Sequence, residues 1–230
     1  SVIEISLAEL RTDLGAVAAR LRSAGSEQPI VSDIVDENDL RRLSLAVQQA
    51  EDAGSRFIYR VGPPFVRARI GQEVHLPLDH DDLVAIRQGG LAENSVGGLV
   101  VVGSHVQQTT RQLEALRAID KPTEVEIDVP VVLTSGRDGH LDAIVDQVLA
   151  ELPRGNVVVR TSRTRITGSD AADSLAIARA VSDAVVEVVQ RVLAGYPPRF
   201  VIAKGGITSS DVAARGLGMT RAFVRGPMLP

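Results

Sequence analysis

The run Leu99-Val100-Val101-Val102 is apolar without interruption, stops at Gly103-Ser104, and gives way to a helical pattern over about Val106–Ile119. A short, β-branched run of this kind marks a strand buried on both faces, and such strands belong to parallel sheets covered by helices on each side. The arrangement recurs. Thr123–Ile127 and Val131–Leu133 are strand-like and lead to a helix over Leu141–Leu152. Asn156–Thr161 precedes a polar turn and the long helical pattern Ala171–Ala194, and Phe200–Ala203 ends in Lys204-Gly205-Gly206 before a helix over Ser209–Arg215. Strands alternating with helices predict an α/β fold, a Rossmann-like and mostly parallel sheet with helices on both faces.

Upstream lies the remainder of a second α/β domain. Leu10, Leu14, Val17, Ala18 and Leu21 recur at spacings of three and four, which predicts one helix over Leu7–Ala24. Strands are expected at Ser1–Ile5, Pro29–Ser32 and Phe57–Val61, with a helix over Asp36–Ala53. Residues 71–94 are poor in pattern and hold His75, His80 and the pair Gly89-Gly90. The expected organisation is therefore one domain over 1–70, a linker over 71–94 and a second domain over 95–230. Both ends read as cut: Ser1–Ile5 as a strand entered midway, and Gly226–Pro230 as a stretch with no closing element.

Composition removes several classes of function. Hydrophobic residues are 44% and charged residues 23% of the 230, which is globular rather than disordered usage. A net charge of −4 and the lack of any basic run argue against nucleic acid as a partner. With no cysteine there is no disulfide scaffold, thiolate nucleophile or cysteine-ligated metal. No stretch approaches the roughly 18 to 20 apolar residues of a membrane span, and no leader peptide is visible, so a cytoplasmic protein is expected. The histidines His75, His80, His105 and His140 show no paired zinc spacing, and no metal site is expected. The acids Asp33, Asp36, Glu37 and Asp39 cluster where a helix should start, where negative charge is favourable.

Ligands of open α/β sheets bind where strands end and helices begin. Three loops qualify. In Gly103–Thr110 the glycine permits a tight turn, and Ser104 either caps the helix or donates to a phosphate oxygen. In Lys204-Gly205-Gly206-Ile207-Thr208-Ser209-Ser210-Asp211 a glycine pair, a lysine and hydroxyls suit a phosphate cradle, with a capped turn at Thr208 or Ser209 as the plainer reading. The order of a Walker A loop is absent. In Arg160–Ser169 the arginines Arg160, Arg163 and Arg165 either neutralise phosphate or are solvated loop charges, and the sequence singles out none of them.

Two of these segments together resemble a known family. Val100-Val101-Val102-Gly103-Ser104-His105 with Thr109-Thr110 and Gln112-Leu113 resembles the nucleotide-side signature of the four-carbon acid sugar kinases. Ala203-Lys204-Gly205-Gly206-Ile207-Thr208-Ser209-Ser210-Asp211 resembles the second signature of that family, and Val224–Pro230 fits the stretch that follows it. Val31-Ser32-Asp33 with Asp39-Leu40 resembles the tail of its sugar-acid-binding domain. The resemblance implies ATP-dependent phosphorylation of the terminal hydroxyl of a threonate- or erythronate-type acid. It implies ATP contacts at Ser104, Gly205, Gly206, Ile207 and Thr208, Mg²⁺ as cofactor, and a small sugar acid as second ligand. Residues 1–70 then read as the sugar-acid side and 95–230 as the nucleotide side, with a homo-oligomer left open. The family's Asp-Asp-Leu-Thr-Gly motif is not among these 230 residues, so no catalytic residue is assigned here. The rival reading is a non-catalytic module that senses a nucleotide or another anion.

Overall fold

The computed structural model describes residues 2–90, 92–103, 106–163 and 166–228, apart from the side chain of Ile207. It divides into two compact units, one of residues 1–77 with those from 226 onward, the other of residues 78–225.

In the first unit strands β1 (Ile3–Ile5) and β2 (Ile30–Ser32) pair in parallel. Between them run helices α1 (Leu7–Thr12) and α2 (Leu14–Arg22), where the apolar spacing alone predicts a single helix. Asp13 divides them. Its extended backbone ends α1, and its carboxylate accepts from the Ala16 N–H at 3.0 Å as the cap of α2. Helix α3 (Glu37–Asp52) and helix α4 (Pro63–Arg69) complete the unit. The core joins Ile5, Leu10, Val17, Ala18 and Leu21 to Ala46, Val47 and Ala50 of α3.

The acid cluster at the start of α3 is occupied structurally. Asp36 caps the helix and Asp39 closes the capping box. Asp39 is buried and accepts from Arg11 Nε at 2.7 Å and Nη2 at 2.8 Å, and from the N–H groups of Val35 and Asp36. The Arg11 guanidinium, aided by those two amides, holds its carboxyl well below the usual carboxylate range. Glu37 is held on Arg67 of α4. Residues Phe57–Val61 form no strand. They are tied by rings instead, with Tyr59 centred 6.4 Å from Phe57 and 5.7 Å from Phe65, and with its hydroxyl donating to Glu51.

The second unit opens with helix α5 (His80–Arg87), capped by Asp79 and lying within the stretch that sequence pattern leaves bare. A four-stranded parallel sheet follows, of β3 (Leu99–Val102), β4 (Thr123–Ile127), β5 (Val157–Thr161) and β6 (Val201–Lys204). Their order across the sheet is β4-β5-β3-β6. Helix α6 (Gln107–Ile119) carries the chain from β3 to β4, whereas α8 (Arg137–Glu151) and α9 (Ala171–Gly195) connect β4 to β5 and β5 to β6. The first of these connections runs across the sheet in the opposite direction from the other two. Right-handed crossovers then send α6 to one face and α8 and α9 to the other. Side-chain alternation agrees: Val100, Val102 and Val158 pack on Leu113 of α6, whereas Leu99, Val101, Val157 and Val159 pack on α8 and α9. The α/β fold with helices on both faces is as the sequence implies.

One expected strand is a helix. Val129–Val132 forms the single turn α7, because Pro130 at its start presets a helical φ and outweighs the β-branched neighbours. After β6 come α10 (Gly206–Asp211) and a π-helical turn, Val212–Gly216. Among the described residues no helix is long and apolar enough to cross a membrane.

Candidate functional site

Parallel pairing brings the carboxyl ends of β5, β3 and β6 to one edge of the sheet, with β3 in the middle. Val102 is in register with Arg160 on one side and Lys204 on the other. Residues in register share a face, so Arg160 and Lys204 lie on the side of Val102, which α6 covers. Gly103 extends the pairing, its N–H donating to the Lys204 carbonyl at 3.2 Å.

The turn after β6 depends on its glycines for different reasons. Gly205 has φ 127° and ψ 139°, a conformation closed to residues with a Cβ. Gly206 opens α10, and a Cβ built there meets nothing within 4 Å. The first N–H groups of a helix have no intrahelical acceptor, and Gly205 has no side chain to cap them. Thr208 and Ser209 lie within the helix and are not its caps, as the plainer sequence reading would have them. Ser209 instead ties the turn together: its Oγ donates to the Ala203 carbonyl at 2.8 Å and its N–H to the Gly205 carbonyl at 2.8 Å. Asp211 accepts from Ser182 Oγ of α9.

The end of β3 touches α10. A Cβ on Gly103 would stand 2.2 Å from Thr208 Oγ1 and 3.1 Å from its Cβ and Cγ2. Gly103 has no left-handed φ, so close approach, and not a tight turn, is what requires glycine there. Sequence reasoning named this residue but missed its role, because the partner is more than a hundred positions away. Of the residues expected to contact ATP, Gly205, Gly206, Ile207 and Thr208 are thus placed beside the end of β3. Ser104 lies outside the described residues, and the position before α6 is Val106, whose side chain cannot cap.

The arginine loop resolves into separate roles. Arg160 reaches back to Glu124 at 3.2 Å and to Glu126, both on β4. Arg117 of α6 also grips Glu124 and, with Arg160, holds its carboxyl below the ordinary range. Arg163 donates to Thr110 Oγ1 at 2.9 Å. Arg165 lies outside the described residues. Among the described residues no group of three or more His, Asp or Glu side chains could hold a metal. His140 Nε2 accepts from the Asp128 N–H at 2.8 Å, a structural contact.

These features define a class first: an α/β protein with a glycine-lined turn where neighbouring parallel strands end. Residues 99–230 match the family model described as a nucleotide-binding C-terminal domain, and residues 1–69 match that of a sugar-binding N-terminal domain. The chain belongs to the four-carbon acid sugar kinase family. Among solved structures it is similar to a Salmonella typhimurium LT2 protein carrying the provisional description of a tRNA synthase. That match has 19% identity and a TM-score of 0.54 over 94% of this chain and 48% of the other. It is also similar to a Bordetella bronchiseptica protein of the DUF1537 family, solved with bound citrate as a domain-swapped dimer. There the identity is 19% and the TM-score 0.45, over 97% of this chain and 48% of that one. A Haemophilus influenzae protein of the same family gives 18% and 0.44, over 96% and 50%. The chain spans about half the length of these structures, and at such identity the Salmonella likeness speaks for the fold alone. No curated protein matches.

Proposed function

We propose that this chain supplies the nucleotide side of an ATP-dependent kinase that phosphorylates the terminal hydroxyl of a four-carbon sugar acid of threonate or erythronate type. The observation that carries the reading is the contact between Gly103 and Thr208 within the region that matches a nucleotide-binding domain. The end of β3 at Gly103 and the start of α10 meet at neighbouring parallel strands, where a polyphosphate would meet backbone N–H donors of Gly206, Ile207 and Thr208. Lys204 supplies positive charge beside them, and Ser104 a hydroxyl. In phosphoryl transfer most of the protein's work is positioning and charge neutralisation, which such a turn provides. The first unit is the sugar-acid side, and no residue of this chain is assigned as acid or base. Mg²⁺ neutralises the phosphates in reactions of this kind. The described residues do not form a metal site of their own, so the ion is assigned no protein ligand and no step.

Calorimetric titration of the chain with ATP tests the reading. Ser104→Ala is expected to weaken ATP binding by about 1 to 3 kcal/mol while leaving the melting temperature nearly unchanged. Absence of ATP binding by the unaltered chain would overturn the proposal. Tight binding of anions with no ADP release in the presence of sugar acids and the rest of the enzyme would favour a sensor.

A further inference from the structure

The structure separates arginines that the sequence leaves equivalent. Arg160 is committed to Glu124 and Glu126. Arg163, two residues past the end of β5, is held differently: its Nη1 donates to Thr110 Oγ1 at 2.9 Å, in the first turn of α6, and no carboxylate among the described residues lies within ion-pair distance of it. A hydroxyl fixes a guanidinium without neutralising it, and leaves most of its N–H donors free. Arg117 on α6 is by contrast held on the Glu124 carboxylate.

Position adds an independent reason. Strands β5 and β6 flank β3, so Arg163 beyond β5 and Lys204 at the end of β6 stand on either side of the β3 exit. There Gly103 touches Thr208 and the space beside Gly206 is open. Lys204 lies on the face that α6 covers, and Arg163 is anchored to α6 itself. Two cations without carboxylate partners therefore bracket a turn rich in N–H donors. A neutral ligand would leave both charges unanswered, whereas a chain of phosphates would meet them, and a planar guanidinium suits two phosphate oxygens at once.

We infer that Arg163 is a phosphate-contacting residue, positioned by Thr110, and that it sets the preference of the site for nucleotides with more phosphate groups. The inference rests on the nucleotide-site reading above. Its readout is the ratio of ATP to AMP affinity, in which contacts to adenine and ribose cancel. Arg163→Gln is expected to lower that ratio about tenfold or more, with AMP affinity nearly unchanged. Arg163→Lys is expected to retain part of the ratio, and Thr110→Val to lower it by a smaller factor. An unchanged ratio in Arg163→Gln, whether or not the protein is less stable, would overturn the inference and leave Arg163 as a staple between a loop and α6. Gly206→Val in the same series keeps the two ideas apart. If it fails to weaken ATP, the nucleotide site itself is wrong. If it weakens ATP while the Arg163→Gln ratio holds, only the role of Arg163 is wrong.

Discussion

The second unit contains the same dipeptide at its two opposite edges, for opposite reasons. At the amino edge Gly97-Gly98 is glycine because there is no room. A Cβ on Gly97 would lie 1.9 Å from the Gly155 carbonyl oxygen and 2.4 Å from that of Leu152, and one on Gly98 would enter the Phe200 ring at 2.2 Å. The backbone there is knitted closed, with the Gly98 N–H donating to Asn156 Oδ1 at 2.7 Å and Leu99 N–H to the Phe200 carbonyl at 2.9 Å. At the carboxyl edge Gly205-Gly206 combines a glycine-only backbone with a position that faces open space. A glycine needed for packing and a glycine that faces open space are thus distinguished by what surrounds them.

Substitutions can break this comparison. The largest effect is expected for Gly97→Ala, since its Cβ meets rigid backbone: a loss of about 3 kcal/mol in chemical denaturation. Gly98→Ala should cost less, on the order of 1 kcal/mol, because the atoms it meets are the far end of the half-exposed Phe200 ring. Equal costs at the two positions would contradict this. Gly103→Ala is expected to lose about 1 to 2 kcal/mol, and to recover much of it when combined with Thr208→Ala, a coupling that a double-mutant cycle measures. Strict additivity would mean that Gly103 and Thr208 do not touch. At the other extreme, Gly206→Ala should leave stability unchanged or raise it by about 0.5 kcal/mol, since alanine is the better helix former and nothing crowds it.

The first unit has its own test, by pH. The native carboxyl of Asp39 is held low chiefly by Arg11. A depressed native pKa stabilises the fold above the unfolded carboxylate value of about 3.9, and that stabilisation is lost as pH falls below it. Arg11→Met should therefore move the acid-unfolding midpoint, followed by tyrosine fluorescence, to higher pH. The same midpoint in both proteins would show that the pair contributes nothing.

The two central strands of the large sheet were legible because burial on both faces leaves a nearly unbroken apolar run, as in Leu99–Val102, and the edge strand β4 by its alternation of Val125 and Ile127 with Glu124 and Glu126. Their neighbours were not equally so. Val131–Leu133 looks like a strand, yet Pro130 turns it into α7, and Leu7–Ala24 looks like one helix until the Asp13 carboxylate finds the Ala16 N–H. At the candidate site, the sequence offered the turn at 204–211 either as a cradle for phosphate or as a capped turn. It could not give the contact of Gly103 with Thr208, or the division of labour between Arg160 and Arg163, because these depend on strand order. Spacing within a segment carries no information about which segments become neighbours.

The central claim is that the open space at Gly206 is kept for a nucleotide's phosphates. Calorimetric titration of Gly206→Val with ATP, paired with its melting temperature, tests it most directly. The expected result is ATP affinity lowered by at least about tenfold, roughly the 1.4 kcal/mol of one blocked phosphate contact, with a melting temperature near that of the unaltered chain. Wild-type ATP affinity in Gly206→Val would contradict the claim and reduce Gly205-Gly206 to a turn.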